Sequence, residues 1–294
     1  MIPYSRYPGL SPLFLDFLKG LPRFYPDPPT LDACERRARE ILAAPPTPRI
    51  PASAYRCRGA EAARWAEELA AGRAVAVQTG HQVGLFTGPL FTLMKALDAV
   101  HIARELRRRG VPAAPVFWAL TDDHDLQEVA HTAKPGPDGP QIFVLEGADR
   151  QNRQPVGRLP IPDGVRAIVD AFGADAKTPE AAAVLEAFAR RSAPGVPYGE
   201  AFIETLLDLV EPDPLLILDP LSEPLRGPTV AFFREAVRQA PRLRAALEET
   251  ERALHEAGRP IPAPLPEGFS FFTIESKEGE GGGARGLGDD REGP

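Results

Sequence analysis

The sequence predicts an α/β fold in which helices cover both faces of a parallel sheet. A short alternating apolar segment at residues 74–78 has the length of a strand, and a long helical pattern follows at residues 89–109. A second apolar run at residues 115–120, PVFWAL, is continuous, as is typical of a parallel strand covered on both sides. Strand, helix and strand in this order predict one right-handed βαβ unit at the centre of the fold.

The turn between the first strand and the helix is rich in glycine. Residues 75–89 read VAVQTGHQVGLFTGP, with Gly80, Gly84 and Gly88 spaced four apart and Pro89 at the expected first position of the helix. Backbone N–H groups at the start of a helix favour an anionic ligand. The spacing matches neither G-x-G-x-x-G nor the phosphate loop that ends in Gly-Lys-Ser/Thr. The alternatives are an anion-binding loop and a tight turn whose glycines serve only the backbone.

The rest of the chain divides into an arm, two parts of the core, an insertion and a tail. Residues 1–60 are predicted to form a proline-rich arm with short helices at 13–18 and 30–42. The first half of the core follows at 61–133, a connective insertion at 134–197 and the second part of the core at 198–274. Residues 275–294 are predicted to be a disordered tail. The insertion should contain a break at KPGPDGP, a strand at 141–145, a further short strand in RQPVGRLPIP and a helix at 178–191. The second part of the core should contain a third buried strand at 214–219, helices over 229–257 and a short strand at 270–274.

Composition limits the class of protein. A chain of 294 residues, 43% of them apolar, can bury one large core or two modest ones. A net charge of -7 argues against nonspecific nucleic-acid binding. The two cysteines, Cys34 and Cys57, fit a reducing cytoplasm, and no apolar run reaches the ~20 residues of a membrane span. We therefore expect a cytoplasmic protein that binds neither nucleic acid nor membrane.

The densest cluster of titratable groups follows the second predicted strand. It comprises Asp122, Asp123, His124, Asp125 and, further along, His131. In a structural interpretation, Asp125 caps a helix that has Glu128 at its third position. In a second interpretation, the carboxylates and imidazoles bind a divalent cation, although no HExxH spacing is present. In a third, His124 performs acid/base chemistry on a substrate, because the ordinary histidine pKa of about 6.5 suits proton transfer at neutral pH.

Polar side chains near the glycine turn are candidates for the same site, since ligands bind beyond the carboxyl ends of parallel strands. Thr79, His81, Gln82 and Thr87 can all hydrogen-bond a ligand. Lys95 follows in the helix. Because helical side chains lean towards the N-terminus, its ammonium group should reach back towards the turn. We expect the glycine turn and the acidic cluster to converge.

Two segments of this region resemble the BshC family of bacillithiol biosynthesis. They read TGHQVGLFTGPLFTLMKA at 79–96 and PVFWALTDDHDLQEVAH at 115–131. Family members usually read TGQQ, GLxTGP, a helix with lysine, FW, EDHD and a later histidine. The segments PLFLDFLKG, YGEAF and LLILDP are similar to the family as well, so the similarity covers most of residues 10–275. The resemblance implies a Rossmann-like core with a connective insertion.

The resemblance also implies a ligase that forms a carbon–nitrogen bond, joining cysteine through an amide to glucosaminyl malate. The catalytic residues would be His124 as the base, with Asp123 or Asp125 orienting its ring. The substrate-binding residues would be Thr79, Gly80, His81, Gln82, Gly84, Thr87, Gly88, Lys95, Asp122 and His131. ATP or another nucleotide is the expected cofactor, and no metal is assigned. The alternatives are a metal-dependent hydrolase centred on residues 122–125 and an inactive binding remnant.

The sequence departs from the family pattern at three positions and at its end. His81 replaces the usual glutamine, Asp122 replaces the first acid of EDHD, and Ala130 replaces the asparagine before the later histidine. Relatives continue into further core and a helical coiled coil that supports dimerisation, whereas this chain ends in ESKEGEGGGARGLGDDREGP. We therefore expect a C-terminally truncated member that lacks the dimerisation arm, is marginally stable or self-associates, and ligates poorly.

Overall fold

The computed structural model describes residues 4–6, 9–20, 24–45, 49–146, 154–174 and 176–262. Its contacts divide the chain into two compact units. One unit comprises Met1–Pro29 with Thr229–Pro294, and the other comprises Thr30–Pro228. The predicted strand at 270–274 and the predicted tail at 275–294 lie outside the described residues.

The helices and strands alternate through the middle of the chain. The helices are α1 (Pro12–Leu18), α2 (Leu31–Ala43), α3 (Gly59–Ala70), α4 (Leu90–Arg108), α5 (Leu126–Val129), α6 (Val165–Gly173), α7 (Pro179–Arg191), α8 (Tyr198–Val210), α9 (Glu223–Arg238) and α10 (Ala240–Glu256). The strands are β1 (Tyr55–Cys57), β2 (Val75–Gln82), β3 (Ala113–Leu120), β4 (His131–Gly136), β5 (Gly139–Val144) and β6 (Leu216–Leu218). None of the described helices combines the length and the apolar character that a membrane span requires.

The main sheet has four strands in the order β1-β6-β3-β2. Strands β2, β3 and β6 are parallel, and β1 pairs antiparallel with β6 at one edge. One face of the sheet packs Val116 and Leu216 against α3, and the other packs Phe117 and Ile217 against α4 and α8. The predicted α/β fold, with a mainly parallel sheet covered by helices on both faces, is therefore confirmed.

Strand β2 is longer than the sequence predicted. Its pairing with β3 continues from Val75 and Ala113 to Gln82 and Leu120, through residues that we assigned to the glycine turn. A Cβ atom on Gly80 would lie 2.7 Å from the carbonyl oxygen of Trp118, so the absent side chain is what lets the strands pair there. The prediction that Gly80 and His81 belong to a turn is wrong, because both are strand residues.

The turn itself occupies residues 83–89 and is tightly folded. A Cβ atom on Gly84 would lie 2.7 Å from the Cα of Gly88. Phe86 and Thr87 adopt positive φ angles of 53° and 72° in the 3-10 turn Leu85–Thr87. The ring of Phe86 is buried and stacks on Phe188 of α7, with ring centroids 4.7 Å apart. At Gly84 the glycine therefore serves chain packing, and the turn is anchored to the helices that follow the hairpin β4–β5.

Helix α4 is less buried at its start than its sequence predicted. Pro89 occupies the N-cap rather than the first helical position, with φ -67° and ψ 150°. Small residues such as Ala96, Ala99 and Ala103 pack against the sheet along the middle and end of the helix. Leu90, Phe91 and Met94 in the first turns are instead 74%, 50% and 49% exposed. The predicted burial on several sides is thus wrong for the first turns.

The region from 134 to 197 differs from its prediction in three places. KPGPDGP is not a break, because its prolines and glycines lie in the β4–β5 hairpin, with Gly136 opposite Gly139. The described residues of RQPVGRLPIP, 154–162, form a 3-10 turn at Val156–Arg158 and an isolated bridge between Pro160 and Pro197, so the predicted strand is wrong there. Helix α6 was not predicted. Its nine residues, Val165–Gly173, bury Val165 and Ile168 on one face.

Several helices begin or end at capping residues. The hydroxyl groups of Thr30 and Thr178 accept hydrogen bonds from the N–H groups of Ala33 and Ala181, as N-caps do. Gly72 follows α3 with φ 73°.

In the smaller unit, the guanidinium group of Arg259 donates to the carboxylate of Asp16 at 2.7 and 3.0 Å.

Candidate functional site

A cleft of about 480 Å³ opens where β2 ends and α4 begins. The turn after β2, the start of α4, the short helix α5 and strand β4 all contribute to it. Its lining residues are His81, Gln82, Gly84, Gly88, Pro89, Leu90, Phe91, Glu128, Val129, His131, Thr132 and Ala133. Five of these are predicted substrate-binding residues, namely His81, Gln82, Gly84, Gly88 and His131.

Gln82 joins the end of β2 to the acidic segment after β3. Its Nε2 atom donates to Oδ2 of Asp123 at 2.6 Å and to Oε2 of Glu128 at 2.7 Å. Because one amide uses both of its hydrogens in this way, the strand end and the acidic segment are held together. The predicted convergence of the two segments is confirmed by these contacts.

Asp123 is held as an ionised acceptor. Its Oδ1 atom accepts from the backbone N–H groups of His124 at 2.7 Å and Asp125 at 3.2 Å. Burial raises the pKa of Asp123, but the hydrogen bonds from Gln82 and from these two backbone groups outweigh burial, so that its pKa lies below the ordinary value. The carboxylate is therefore negatively charged at neutral pH.

The two neighbours of Asp123 have different surroundings. The Nδ1 atom of His124 lies 3.7 Å from Oδ1 of Asp123, and the histidine side chain is 67% exposed. Asp125 accepts at Oδ1 from the N–H of Glu128 at 3.2 Å and so caps α5, which confirms the structural interpretation for that residue. Between the two candidates for orienting His124, the geometry favours Asp123.

His81, Phe91 and Lys95 form a group at the start of α4. The rings of His81 and Phe91 are 4.8 Å apart at an angle of 55°. The Nζ atom of Lys95 donates to the carbonyl oxygen of Gly80 at 3.3 Å, so it does reach back towards the strand. Partial burial, and then the charge of Lys95, lower the pKa of His81, while the charge of Glu128 acts in the opposite direction. His81 is therefore a neutral imidazole at neutral pH.

The other predicted binding residues lie outside the cleft lining. Thr79 is half-buried within β2, and Thr87 is 5% exposed with a positive φ, so the expected contact of Thr87 with a ligand is not supported. Desolvation, followed by the charges of Asp123 and Asp219, raises the pKa of Asp122. Asp219 at the end of β6 accepts a hydrogen bond from the hydroxyl group of Thr121.

Seven of the twelve lining residues were not predicted as ligand contacts, among them Glu128 and Phe91. Glu128 was considered only as a capping partner, and Phe91 was assigned to the buried face of α4. Their positions depend on the contact of α5 with Gln82 and on how α4 sits against the sheet. Helical periodicity does not report either feature.

The described residues do not favour a phosphate cradle or a metal centre. Gly80 and Gly84 are explained by close contacts within the chain rather than by a bound phosphate. Within the described ranges, no group of three or more His, Cys, Asp or Glu side chains is arranged to hold a metal ion.

Residues 38–280 match the family model described as "Bacillithiol biosynthesis BshC, N-terminal Rossmann-like domain". Three relatives share the name "Putative cysteine ligase BshC". The relative from Heliobacterium modesticaldum is 31% identical over 217 residues, 72% of this chain and 40% of the relative. Those from Salinibacter ruber and Solibacter usitatus are 33% and 34% identical, each over 63% of this chain and 34% of the relative. The chain thus spans about a third to two fifths of the length of these curated relatives.

Proposed function

The chain belongs to the BshC family, through the match of residues 38–280 to its N-terminal Rossmann-like domain, and on this premise we propose that it acts in bacillithiol biosynthesis. The proposed reaction joins cysteine to glucosaminyl malate by an amide bond. The names of the relatives support a cysteine ligase over a metal-dependent hydrolase. The single observation that carries the proposal is the double hydrogen bond of Gln82, which unites the strand end and the acidic segment at one cleft.

In the proposed step, the amine nitrogen of glucosaminyl malate attacks the activated carboxyl carbon of cysteine. The new C–N bond forms as the C–O bond to the activating group breaks, and the leaving oxygen keeps that electron pair. His124 accepts the proton that the nitrogen loses, and the nearby carboxylate of Asp123 stabilises the resulting imidazolium. Asp125 contributes by capping α5 and so fixes the segment that carries His124.

The proposed site for the malate carboxylates is the start of α4. The first N–H groups of a helix have no partner within the helix and attract anions. Gly84 and Gly88 line the cleft beside them, and the ammonium group of Lys95 adds a positive charge. Thr79, Asp122 and His131 stay as proposed contacts, whereas Thr87 is not retained.

The energy source is proposed to be a nucleotide such as ATP, which supplies activation of the cysteine carboxyl group. No residue of this cleft is assigned to the nucleotide.

We propose the cytoplasm as the location, supported by two cysteines that are both unpaired. Cysteine and glucosaminyl malate are the proposed small-molecule partners.

The test is to supply the chain with cysteine, glucosaminyl malate and ATP and to follow the amide product by mass spectrometry. His124→Asn should lower turnover by ~100-fold or more, because a general base contributes that much. His101→Asn, an exposed change on α4, is the matched control and should leave turnover unchanged. Equal turnover in the parent and the His124 variant would refute the catalytic assignment. Ligand binding without turnover in the parent would favour the binding-remnant alternative.

A further inference from the structure

A groove of about 370 Å³ lies between α6 and the end of α7, and we call it the α6–α7 groove. It shares no lining residue with the cleft beside β2 and α4. Its volume is within the roughly 300–1,000 Å³ that is typical of small-molecule sites. The lining residues are Val165, Arg166, Val169 and Asp170 of α6, and Ala189, Ser192, Ala193 and Pro194 around the end of α7.

Backbone hydrogen bonds fix the two walls of the α6–α7 groove relative to each other. The N–H of Ile161, in the segment before α6, donates to the carbonyl oxygen of Val196 at 2.9 Å. The N–H of Gly195 donates to the carbonyl oxygen of Ile161 at 2.8 Å. At the end of α7, the N–H of Ser192 donates to the carbonyl oxygen of Phe188 at 2.8 Å. Because the walls are already ordered, a ligand that binds here pays little conformational entropy to organise them.

The wall formed by α6 carries two opposite charges that do not pair with each other. Arg166 and Asp170 are four residues apart on the helix, which puts their Cβ atoms roughly 5–6 Å apart on one face. The basic residue precedes the acidic one, which is the weaker order for an ion pair within a helix. Both residues are exposed, and among the residues that the structure describes neither side chain has an ion pair or a hydrogen bond. The groove therefore offers a ligand one cation and one anion.

The opposite wall adds a hydroxyl group and the negative end of a helix. Ser192 is 3% exposed, and its hydroxyl group has no hydrogen-bond partner in the described part of the chain. Such a group is costly to bury unpaired and can donate to a ligand carboxylate. Ala189 lies in the last turn of α7, where carbonyl oxygens lack partners within the helix and attract a cation. This wall thus provides a donor and a cation-attracting surface.

The combined charges select the class of ligand. Asp170 would repel a phosphate, and Arg166 would repel a polyamine. Val169 and Pro194 leave apolar surface between the charged groups for a short hydrocarbon chain. An α-amino acid has a carboxylate and an ammonium group on one carbon atom, so it can meet both charges at once. It is therefore complementary to the groove, whereas an ion of a single sign is not.

We propose that the α6–α7 groove binds a free α-amino acid with a short aliphatic side chain. Its carboxylate accepts from the guanidinium group of Arg166 and from the hydroxyl group of Ser192. Its ammonium group donates to Asp170 and to the carbonyl oxygens at the end of α7, and its side chain packs on Val169 and Pro194. The inference does not depend on the proposed function, because the groove and the cleft share no lining residue.

The experiment measures dissociation constants for the 294-residue chain by ligand-detected NMR. L-valine is the zwitterionic probe, L-valinamide lacks the carboxylate, and N-acetyl-L-valine lacks the ammonium group. The parent should bind L-valine about tenfold or more tightly than either derivative, because each derivative loses one hydrogen bond to a charged group.

Two substitutions assign the two charges. Arg166→Gln should bind L-valine about tenfold more weakly and no longer distinguish it from L-valinamide. Asp170→Asn should bind L-valine about tenfold more weakly and no longer distinguish it from N-acetyl-L-valine. Arg158→Gln and Asp163→Asn are the matched controls, since both residues are exposed in the segment before α6 and neither lines the groove. They should keep the parent affinities, and thermal unfolding of each variant checks that the fold is intact.

Other results would overturn the inference. Absence of saturable L-valine binding to the folded parent would remove the groove as an amino-acid site. Equal affinity of the parent for all three ligands would show that neither charge is recognised. Unchanged affinities in Arg166→Gln and Asp170→Asn would place the bound amino acid elsewhere in the chain. Equal losses in these variants and in the two controls would show an effect of net charge rather than of the groove.

Discussion

Two clusters of acidic side chains within Thr30–Pro228 have opposite surroundings. Asp208 on α8 is surrounded by arginines: Arg190 and Arg191 each donate to it at 2.8 Å, and Arg58 also bonds it. The acidic cluster after β3, formed by residues 122, 123, 125 and 128, has no ion pair with any lysine or arginine in the described part of the chain. Arginines therefore neutralise the charge of Asp208, whereas the acidic cluster after β3 keeps its negative charge.

The pKa values follow this difference. Burial raises the pKa of Asp208, but the hydrogen bonds from Arg191, Arg58 and Arg190 outweigh burial and hold its pKa far below the ordinary value. Desolvation and the charges of Asp123 and Asp219 raise the pKa of Asp122. The carboxylate of Asp208 on α8 binds Arg58, which follows β1, and two arginines of α7, so its charge stabilises the fold. In the cluster after β3, the charge of Asp122 opposes folding, whereas hydrogen bonds from Gln82 and the backbone stabilise the charge of Asp123.

The largest expected effect comes from Asp208→Asn. The change keeps the shape of the side chain and removes the charge that three guanidinium groups share, so that Arg58 and Arg191 are left to share the carboxylate of Glu204. The free energy of unfolding should fall by about 1.5–3 kcal/mol, the contribution of a hydrogen bond to a charged group. Urea unfolding at pH 7 measures the change through the shift in midpoint.

The control for this prediction is an exposed ion pair on α2. Glu40 pairs with Arg36 and Arg37 at the surface, so Glu40→Gln should leave the unfolding midpoint unchanged. If Asp208→Asn were as mild as Glu40→Gln, the arginines around Asp208 would not be a stabilising network.

A smaller effect of opposite sign is expected for Asp122→Asn. The same chemical change here removes a charge that is desolvated and repelled by Asp123 and Asp219. The free energy of unfolding should rise by at most about 0.5 kcal/mol, because solvent access screens the repulsion. Thermal unfolding at pH 7 checks the sign. A clear loss of stability would contradict the distinction between the two clusters.

The smallest expected effect is a change with pH in the free energy of unfolding of each variant relative to the parent. Asp208 has a lowered pKa when folded, so its contribution is complete above the unfolded value of 3.8 and is lost as pH falls below it. Asp122 has a raised pKa when folded, so its cost is absent below 3.8 and grows as pH rises through the folded value. The deficit of Asp208→Asn should shrink below pH 3.8, and the gain of Asp122→Asn should vanish there. Parallel curves for the two variants would contradict both assignments.

Local signals predicted the centre of the fold well. The continuous apolar run of β3 and the helix α4 depend on residues close in sequence, and both were confirmed. The extension of β2 to Gln82 was not predicted, because it depends on the contact of Gly80 with Trp118 across the sheet. The convergence of the glycine turn and the acidic cluster followed from strand direction alone. The exposure of Phe91 did not, because it depends on which face of α4 meets the sheet.

The close contacts of the two glycines have a consequence for saturation mutagenesis of residues 75–89. A side chain at Gly80 would meet a backbone oxygen 2.7 Å away, and one at Gly84 would meet the Cα of Gly88 at the same distance. Neither clash can be relieved by moving a flexible side chain, so nearly every substitution there should inactivate the protein through misfolding. A screen that scores only survival would then rank these glycines above His81 or Gln82. Sensitivity to substitution in this segment therefore reports steric tolerance first and chemistry second.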